Sequence, residues 1–325
     1  MQRVAIVGAG GMAGVHGAAY AKMPNVKPVA VVDVIPEAAA KLAGTLGVPS
    51  FTNFDEMLKS ASPDVVDICT PTPFHKEYAI RAMEARKHVV LEKPMARTLA
   101  DCRAMIDAAN RTGVKFMVAH VVRFFPEFAA IKEQVESGAV GKPAVVRTTR
   151  GGGHPGRWFA DYDQSGGVIL DTIIHDFDWL RTTFGEVDTV FAKGLIDRCL
   201  PNLDYALVTL RMKNNVIAHV EGNWAHSTSG FSVKVEVAGD EGLIDFDNKK
   251  SVPLVISAPG AGGKETVPQS PLMEDPYYRE LKAFIDCVES DTPSPVSGEE
   301  GMRAVEIALA AIESIRTGKP VKVGG

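Results

Sequence analysis

Up to about residue 120 the apolar residues come in short, nearly unbroken runs, at 3–7, 28–33, 65–69, 88–91 and 115–119. They are rich in Val and Ile and lack polar alternation, which predicts strands covered on both faces, as in a parallel sheet. Ala-, Leu- and Met-rich stretches at 37–46, 74–85 and 99–110 separate them and predict helices. Strand–helix alternation of this kind gives βαβ units and a doubly wound sheet with right-handed crossovers.

From about residue 121 the pattern changes. A helix near 128–136 is followed by strand-like runs near 144–149, 187–194, 205–212, 215–221, 232–238 and 242–247. The turn-forming stretches Lys213-Asn214-Asn215 and Gly239-Asp240-Glu241-Gly242 join neighbouring runs as hairpins, so the second sheet is expected to be open and largely antiparallel. A single helix over 167–184 is expected to lie across it. The Gly-rich stretch at 259–263, within 259–270, reads as a loop. A last helix over 299–316 has spacing suited to packing back on the first domain. The fold class is therefore α/β: a parallel, Rossmann-like domain over 1–120, an α+β domain over 121–298, and a C-terminal helical segment over 299–325.

The chain has 325 residues, enough for two such domains and for a core without disulfide or metal staples. Its formal net charge of -5 argues against nucleic-acid binding. Cys69, Cys102, Cys199 and Cys287 lie far apart, without C-x-x-C spacing, and read as isolated thiols of a reducing compartment. No apolar run reaches the roughly 18 residues of a membrane span. A soluble, cytoplasmic protein is the expectation.

The first strand runs into Gly8-Ala9-Gly10-Gly11-Met12-Ala13-Gly14. Gly8 permits a tight turn, Gly10 lets a pyrophosphate approach the backbone, and Ala13 takes the third small position where helix meets strand. The N–H groups of Gly11 and Met12 open the helix, where an anion is stabilised. This string follows a predicted strand, opens a helix and precedes a second strand ending in Asp33, the context a dinucleotide site requires. A carboxylate at Asp33 accepts from ribose hydroxyls and repels a 2′-phosphate, and Val34, Ile35 and Pro36 offer no cation. NAD is therefore expected over NADP.

Ligands of open α/β sheets bind beyond the carboxyl ends of the strands. Gly8, Asp33, Thr70 and Lys93 all fall at such ends, so a lysine that would otherwise read as a surface residue gains a pocket. Further on, Asp171 and His175 lie four apart among Ile169, Leu170, Ile173 and Ile174. On one helix they share a face, able to bind neighbouring hydroxyls or to let the carboxylate orient a general base. An exposed helical pair is the bland alternative, and the apolar flanks argue against it. No metal-ligand spacing occurs, so no metal is expected. His16 reads as a packing or capping residue and His88 as structural. Arg157 and Trp158 are candidate substrate contacts, Trp158 offering an aromatic wall.

Three segments complete a pattern: Cys69-Thr70-Pro71-Thr72-Pro73-Phe74-His75, Glu92-Lys93-Pro94, and Gly166-Gly167-Val168-Ile169-Leu170-Asp171-Thr172-Ile173-Ile174-His175. With the glycine fingerprint, this series resembles the Gfo/Idh/MocA oxidoreductases, most closely their inositol and sugar dehydrogenase branch, over essentially the whole chain. The resemblance implies an NAD-dependent enzyme acting on a secondary hydroxyl of a cyclic polyol or sugar. It implies Lys93 at the nicotinamide and reacting hydroxyl, following a peptide that is commonly cis at Pro94. Asp171 and His175 would sit on the substrate hydroxyls, with His175 as acid/base. Glu92, Thr70, Pro71, Thr72 and His75 would lie beside the cofactor and Arg123 near the substrate. It also implies a homodimer or homotetramer formed through the second sheet. Ala13 stands where that family often has glycine, and Val168 and Ile173 stand where it frequently has small residues. Two other functions stay open at this level: glycosidic-bond cleavage through transient oxidation, and a non-catalytic nucleotide sensor.

Overall fold

Six parallel strands make the first sheet of the computed structural model, which describes residues 1–195, 204–225, 230–250, 254–257, 265–266 and 275–324. In chain order the elements are β1 (Gln2–Val7), α1 (Gly11–Tyr20), β2 (Val26–Val32), α2 (Pro36–Leu46), β3 (Ser50–Phe51), α3 (Phe54–Ala61), β4 (Val65–Ile68), α4 (His75–Glu84), β5 (His88–Glu92), α5 (Leu99–Thr112) and β6 (Phe116–Ala119). The strands run in the order β3-β2-β1-β4-β5-β6. The direction of winding reverses between β1 and β4, the switch point at which such sheets open a crevice. All four residues of β4 and of β6 are buried, which is why their sequences read as apolar runs, broken only by Asp67 in β4.

Two elements of this stretch escape the hydrophobic pattern. β3 is two residues long. α3 is capped by Asn53, whose side chain accepts the Glu56 N–H at 3.0 Å, a polar start signal at short spacing.

The next segment contains α6 (Pro126–Glu136), β7 (Pro143–Gly151), α7 (Tyr162–Ser165), α8 (Gly167–Asp171), α9 (Ile174–Phe184), β8 (Val187–Leu195), β9 (Tyr205–Met212), β10 (Ile217–Asn223), β11 (Ser232–Gly239), β12 (Leu243–Asp247), β13 (Leu254–Ser257) and β14 (Glu265–Thr266). Then come α10 (Pro276–Ser290), α11 (Gly298–Thr317) and β15 (Val321–Lys322). The nine-stranded sheet runs β14-β13-β12-β11-β7-β10-β9-β8-β15. It is antiparallel except for the parallel pair β7–β10. The expected hairpins at 213–215 and 239–242 join β9 to β10 and β11 to β12. On one face Trp179 of α9 meets Phe128 of α6 edge-on, its Nε1–H donating to the Phe128 carbonyl at 3.2 Å. The alternate positions Phe191, Leu207, Ile217 and Leu243 stay partly exposed, so these strands alternate where the first sheet does not.

The expected single helix over 167–184 is in fact two. The Val168 carbonyl accepts the N–H groups of both Thr172 and Ile173 at 3.0 Å, and the Ile173 carbonyl then starts α9. Tertiary contacts fix the break. Trp224 Nε1–H donates to Thr172 Oγ1 at 2.7 Å, and Ile173 packs so tightly on Gly222 that a Cβ there would lie 2.4 Å from its Cγ2. Asp171 thus ends one helix while His175 begins another, and the shared-face argument from their spacing does not hold.

By compactness the chain forms one unit from Met1–Phe124 with Glu274–Met302, and a second from Phe125–Met273 with Arg303–Gly325. Helix α10 belongs to the first: Leu281, Phe284 and Ile285 join the core made by Val4, Ile6, Ala13 and Tyr20. Its start signal is Asp275-Pro276, with Asp275 accepting the Tyr277 N–H at 2.9 Å. The first turn of α11 packs on the first sheet, since a Cβ at Gly301 would lie 2.6 Å from Val118. Further along α11, Ser314 Oγ accepts the Ala192 N–H of β8 at 2.9 Å. The expected loop at 259–263 and Cys199 lie outside the described residues.

Candidate active site

The first unit builds a nucleotide cradle at the switch point. Gly8 adopts φ +93°, and a Cβ there would lie 2.7 Å from the Cys69 carbonyl oxygen. Only glycine lets the ends of β1 and β4 come so close. Gly10 and Gly11 meet no neighbouring atom within 4 Å of a Cβ position, leaving open space before α1. That helix starts with no capping side chain and no acidic residue in its first turn, so its N–H groups and dipole face outward for an anion. By contrast, α3 and α5 are capped by Asn53 and Thr98. Met12 is half-buried and Ala13 fully buried against the sheet.

Asp33 follows β2. Its two carboxylate oxygens accept the N–H groups of Ala9 at 2.7 Å and Ile35 at 2.8 Å, tying the glycine turn to the end of β2. A carboxylate has about four acceptor sites, so lone pairs remain for ribose hydroxyls. After β4, the hydroxyls of Thr70 and Thr72 are buried without a hydrogen-bond partner. Buried polar atoms of this kind call for one. Open glycines, a bare helix start, a carboxylate at the second strand end and two orphaned hydroxyls all fit a bound dinucleotide.

Pro71 precedes a short 3-10 turn, Thr72–Phe74, that leads into α4. His75 is buried, with Nδ1 3.0 Å from the Pro94 carbonyl and Nε2 2.9 Å from the Thr70 carbonyl. Burial pulls its pKa down, and the two carbonyls oppose this only in part. Its structural effect is to tie the end of β4 to the segment after β5. Lys93, half-buried, follows β5 and precedes a cis peptide at Pro94. Its backbone N–H donates to Glu92 Oε2 at 3.0 Å.

Glu92, expected beside the cofactor, turns its carboxylate into the core. There Oε1 lies 3.1 Å from Nε2 of His16, an ion pair when the ring is protonated. The other His16 nitrogen, Nδ1, donates to Asp67 Oδ2 at 2.8 Å. The Cys69 thiol donates to Asp67 Oδ1 at 3.5 Å. His16, Asp67 and Cys69 bring donor atoms within 4.8 Å of one another. His16, read from sequence as packing or capping, is thus the centre of a buried charge cluster. Asp67 was missed, although an acidic residue inside an apolar strand was its signal.

In the second unit Asp171 and His175 are half-buried at the two sides of the helix break. Arg157 has φ +56° and is exposed. Trp158 stacks on Phe159, ring centroids 4.0 Å apart. Arg123, in the first unit, is paired with Glu300 at 2.7 Å.

The profile of an oxidoreductase family with an NAD-binding Rossmann fold matches residues 2–120, and that of the same family's C-terminal alpha/beta domain matches residues 132–323. Myo-inositol 2-dehydrogenase of Thermotoga maritima is 32% identical over 331 residues, spanning 99% of this chain and 98% of that protein. Inositol 2-dehydrogenase of Rhizobium meliloti is 30% identical over 334 residues, spanning 99% of both. Among solved structures, levoglucosan dehydrogenase in complex with NADH superposes with a TM-score of 0.90 at 26% identity over 99% of both chains. Cradle, second domain and full-length likeness agree, and the chain belongs to the Gfo/Idh/MocA oxidoreductase family.

Proposed function

We propose that the chain is an NAD-dependent dehydrogenase that oxidises a secondary hydroxyl of a cyclic polyol or sugar, in the manner of an inositol dehydrogenase. The observation that carries this reading is the set of strand ends. Gly8, Asp33, Thr70 and Lys93 follow β1, β2, β4 and β5 on one edge of the sheet, which supports a role for the lysine at the cofactor. The names of the full-length relatives support the substrate class.

Bound NAD supplies the hydride acceptor. The chain's own residues bind and orient the substrate and take its hydroxyl proton. His175 is the general base, with Lys93 and Asp171 holding the reacting hydroxyl and its neighbour. Arg123, Arg157 and Trp158 are the further substrate contacts. Asp33 favours NAD over NADP, because no cation stands at Val34, Ile35 or Pro36 to accept a 2′-phosphate.

The partly exposed apolar residues Phe191, Leu207, Ile217 and Leu243 support self-association through the second sheet, as a homodimer or homotetramer. Among the described residues no helix is long and apolar enough to cross a membrane, and three free thiols, Cys69, Cys102 and Cys287, suit the cytoplasm. The reading is tested by NADH formation with a panel of inositols, aldoses, deoxy sugars and uronates, with NADP in parallel. Net reduction of NAD by one class is the expected result. Product release without net NADH would favour glycosidic-bond cleavage, and tight NAD binding with no turnover would favour a sensor.

A further inference from the structure

Behind the cradle lies a group of buried charges that hydride transfer does not require. The side chains of His16 and Asp67 are 0% exposed and that of Glu92 10%. Two carboxylates, from β4 and β5, flank one imidazole from α1. An isolated buried carboxylate is costly and takes up a proton instead. Here the directions agree on an ion pair. Burial works against charge on His16, but Asp67 outweighs it and holds its pKa well above 6.5. Burial would raise Glu92, but His16 and then Lys93 bring it below its ordinary value.

The neighbouring groups Cys69, Tyr20, Glu280 and Tyr277 are not cations. From the end of β4 comes the Cys69 thiol, which burial and Asp67 push far up so that it stays protonated. From α1 itself comes Tyr20, raised by burial and by Asp67. From α10 come Glu280, fully buried, and Tyr277, whose ring centroid is 6.2 Å from that of His16 and whose hydroxyl is pushed up to about 12 by burial and by Glu92.

Glu92 has a second oxygen, and it accepts the backbone N–H of Lys93 at 3.0 Å. The chain of contacts Asp67–His16–Glu92–Lys93 therefore joins the core to the lysine at the strand end. We infer that His16 is a positioning residue: as an imidazolium it keeps Glu92 ionised in the core, and the ionised Glu92 anchors the backbone of Lys93 for its work at the substrate hydroxyl. This rests on the reading of Lys93 given above.

The first test needs no substrate. In ¹⁵N-histidine NMR spectra of the apo-protein, the ring assigned by its loss in His16→Gln is expected to keep protons on both nitrogens to a higher pH than an ordinary histidine. In Asp67→Asn it titrates earlier. A neutral wild-type ring at about pH 7 would overturn the proposal.

The second test is kinetic, using the best substrate of the inositol and sugar panel. His16→Gln is expected to lower kcat by about 10²-fold near pH 7, the cost of a misplaced catalytic group, with NAD affinity within about twofold. Without the imidazolium, Glu92 protonates, so part of the loss returns as pH rises and Glu92 ionises again. Glu92→Gln shows a loss that pH does not restore, and His16→Gln adds nothing to it in the double variant. Wild-type kcat and pH profile in His16→Gln, or losses that simply add, would contradict the proposal. If His16→Gln does not fold, assignment passes to the Asp67→Asn spectrum and Glu92→Gln carries the kinetics. Full turnover in Lys93→Ala would instead remove the reading of Lys93 while leaving the NMR result standing.

Discussion

Two histidine–carboxylate pairs of this chain sit in opposite settings. His16 and Asp67 are 51 residues apart, fully buried, and joined by a 2.8 Å hydrogen bond. Asp171 and His175 are four apart, half-buried, and separated by a helix break. The near pair is conspicuous in the sequence and the distant one is not, yet the distant one is joined at 2.8 Å in the core. Adjacency along a chain is a guide to chemistry only where one regular element carries both groups.

Removing the second pair is expected to have the largest effect on activity. His175→Ala should lower turnover by about 10²–10⁴-fold, the usual worth of a positioned acid/base, with NAD binding retained by titration. Near-wild-type turnover would leave that pair a binding role only.

Gly8→Ala should act on fold and cofactor together. It forces a Cβ to 2.7 Å from a carbonyl oxygen at φ +93°, costing on the order of 1–3 kcal/mol or more in backbone strain alone. Denaturant melts and NAD titration check both. A variant of wild-type stability would show that the β1 and β4 ends can part.

Asp33→Ala removes acceptors of two backbone N–H bonds. Hydrogen bonds to charged groups are worth about 1.5–3 kcal/mol each. NAD affinity should fall and the NAD-over-NADP ratio of kcat/KM should shrink. An Asp33-intact enzyme that prefers NADP would contradict the assigned role.

A smaller effect concerns the first pair and pH. The raised pKa of His16 means its pairing contributes stability fully below 6.5, lost as pH climbs through the raised value. The lowered pKa of Glu92 contributes stability above 4.5, lost as pH falls through its depressed value. The stability gap between wild type and His16→Gln should therefore be widest from 4.5 to 6.5, and narrow at higher pH in urea melts across a pH series. A constant gap would mean that His16 acts by shape alone.

The parallel sheet was legible because its strands are buried on both faces, so hydrophobic runs alone mark β1, β2, β4, β5 and β6. The alternating strands of the second sheet and its two hairpins followed from period and turn residues. What was not legible has physical causes. β3 is too short to carry a pattern, and α3 and α10 announce themselves through Asn53 and Asp275 rather than through apolar spacing. The break between α8 and α9 is set by Gly222 and Trp224, some 50 residues on. In the site, Gly8, Gly10 and Asp33 could be read from spacing because one loop-and-helix unit holds them. His16 could not, because its partners Asp67 and Glu92 reach it only through the order of strands.

The most direct test of the account follows NADH formation by wild type and Lys93→Ala on the inositol and sugar panel, with NAD binding measured separately for both. The account predicts that wild type reduces NAD with a cyclic polyol or sugar, and that Lys93→Ala binds NAD yet loses turnover by at least about 10²-fold. Full turnover in Lys93→Ala, or no NADH from any substrate despite tight NAD binding by wild type, would contradict it.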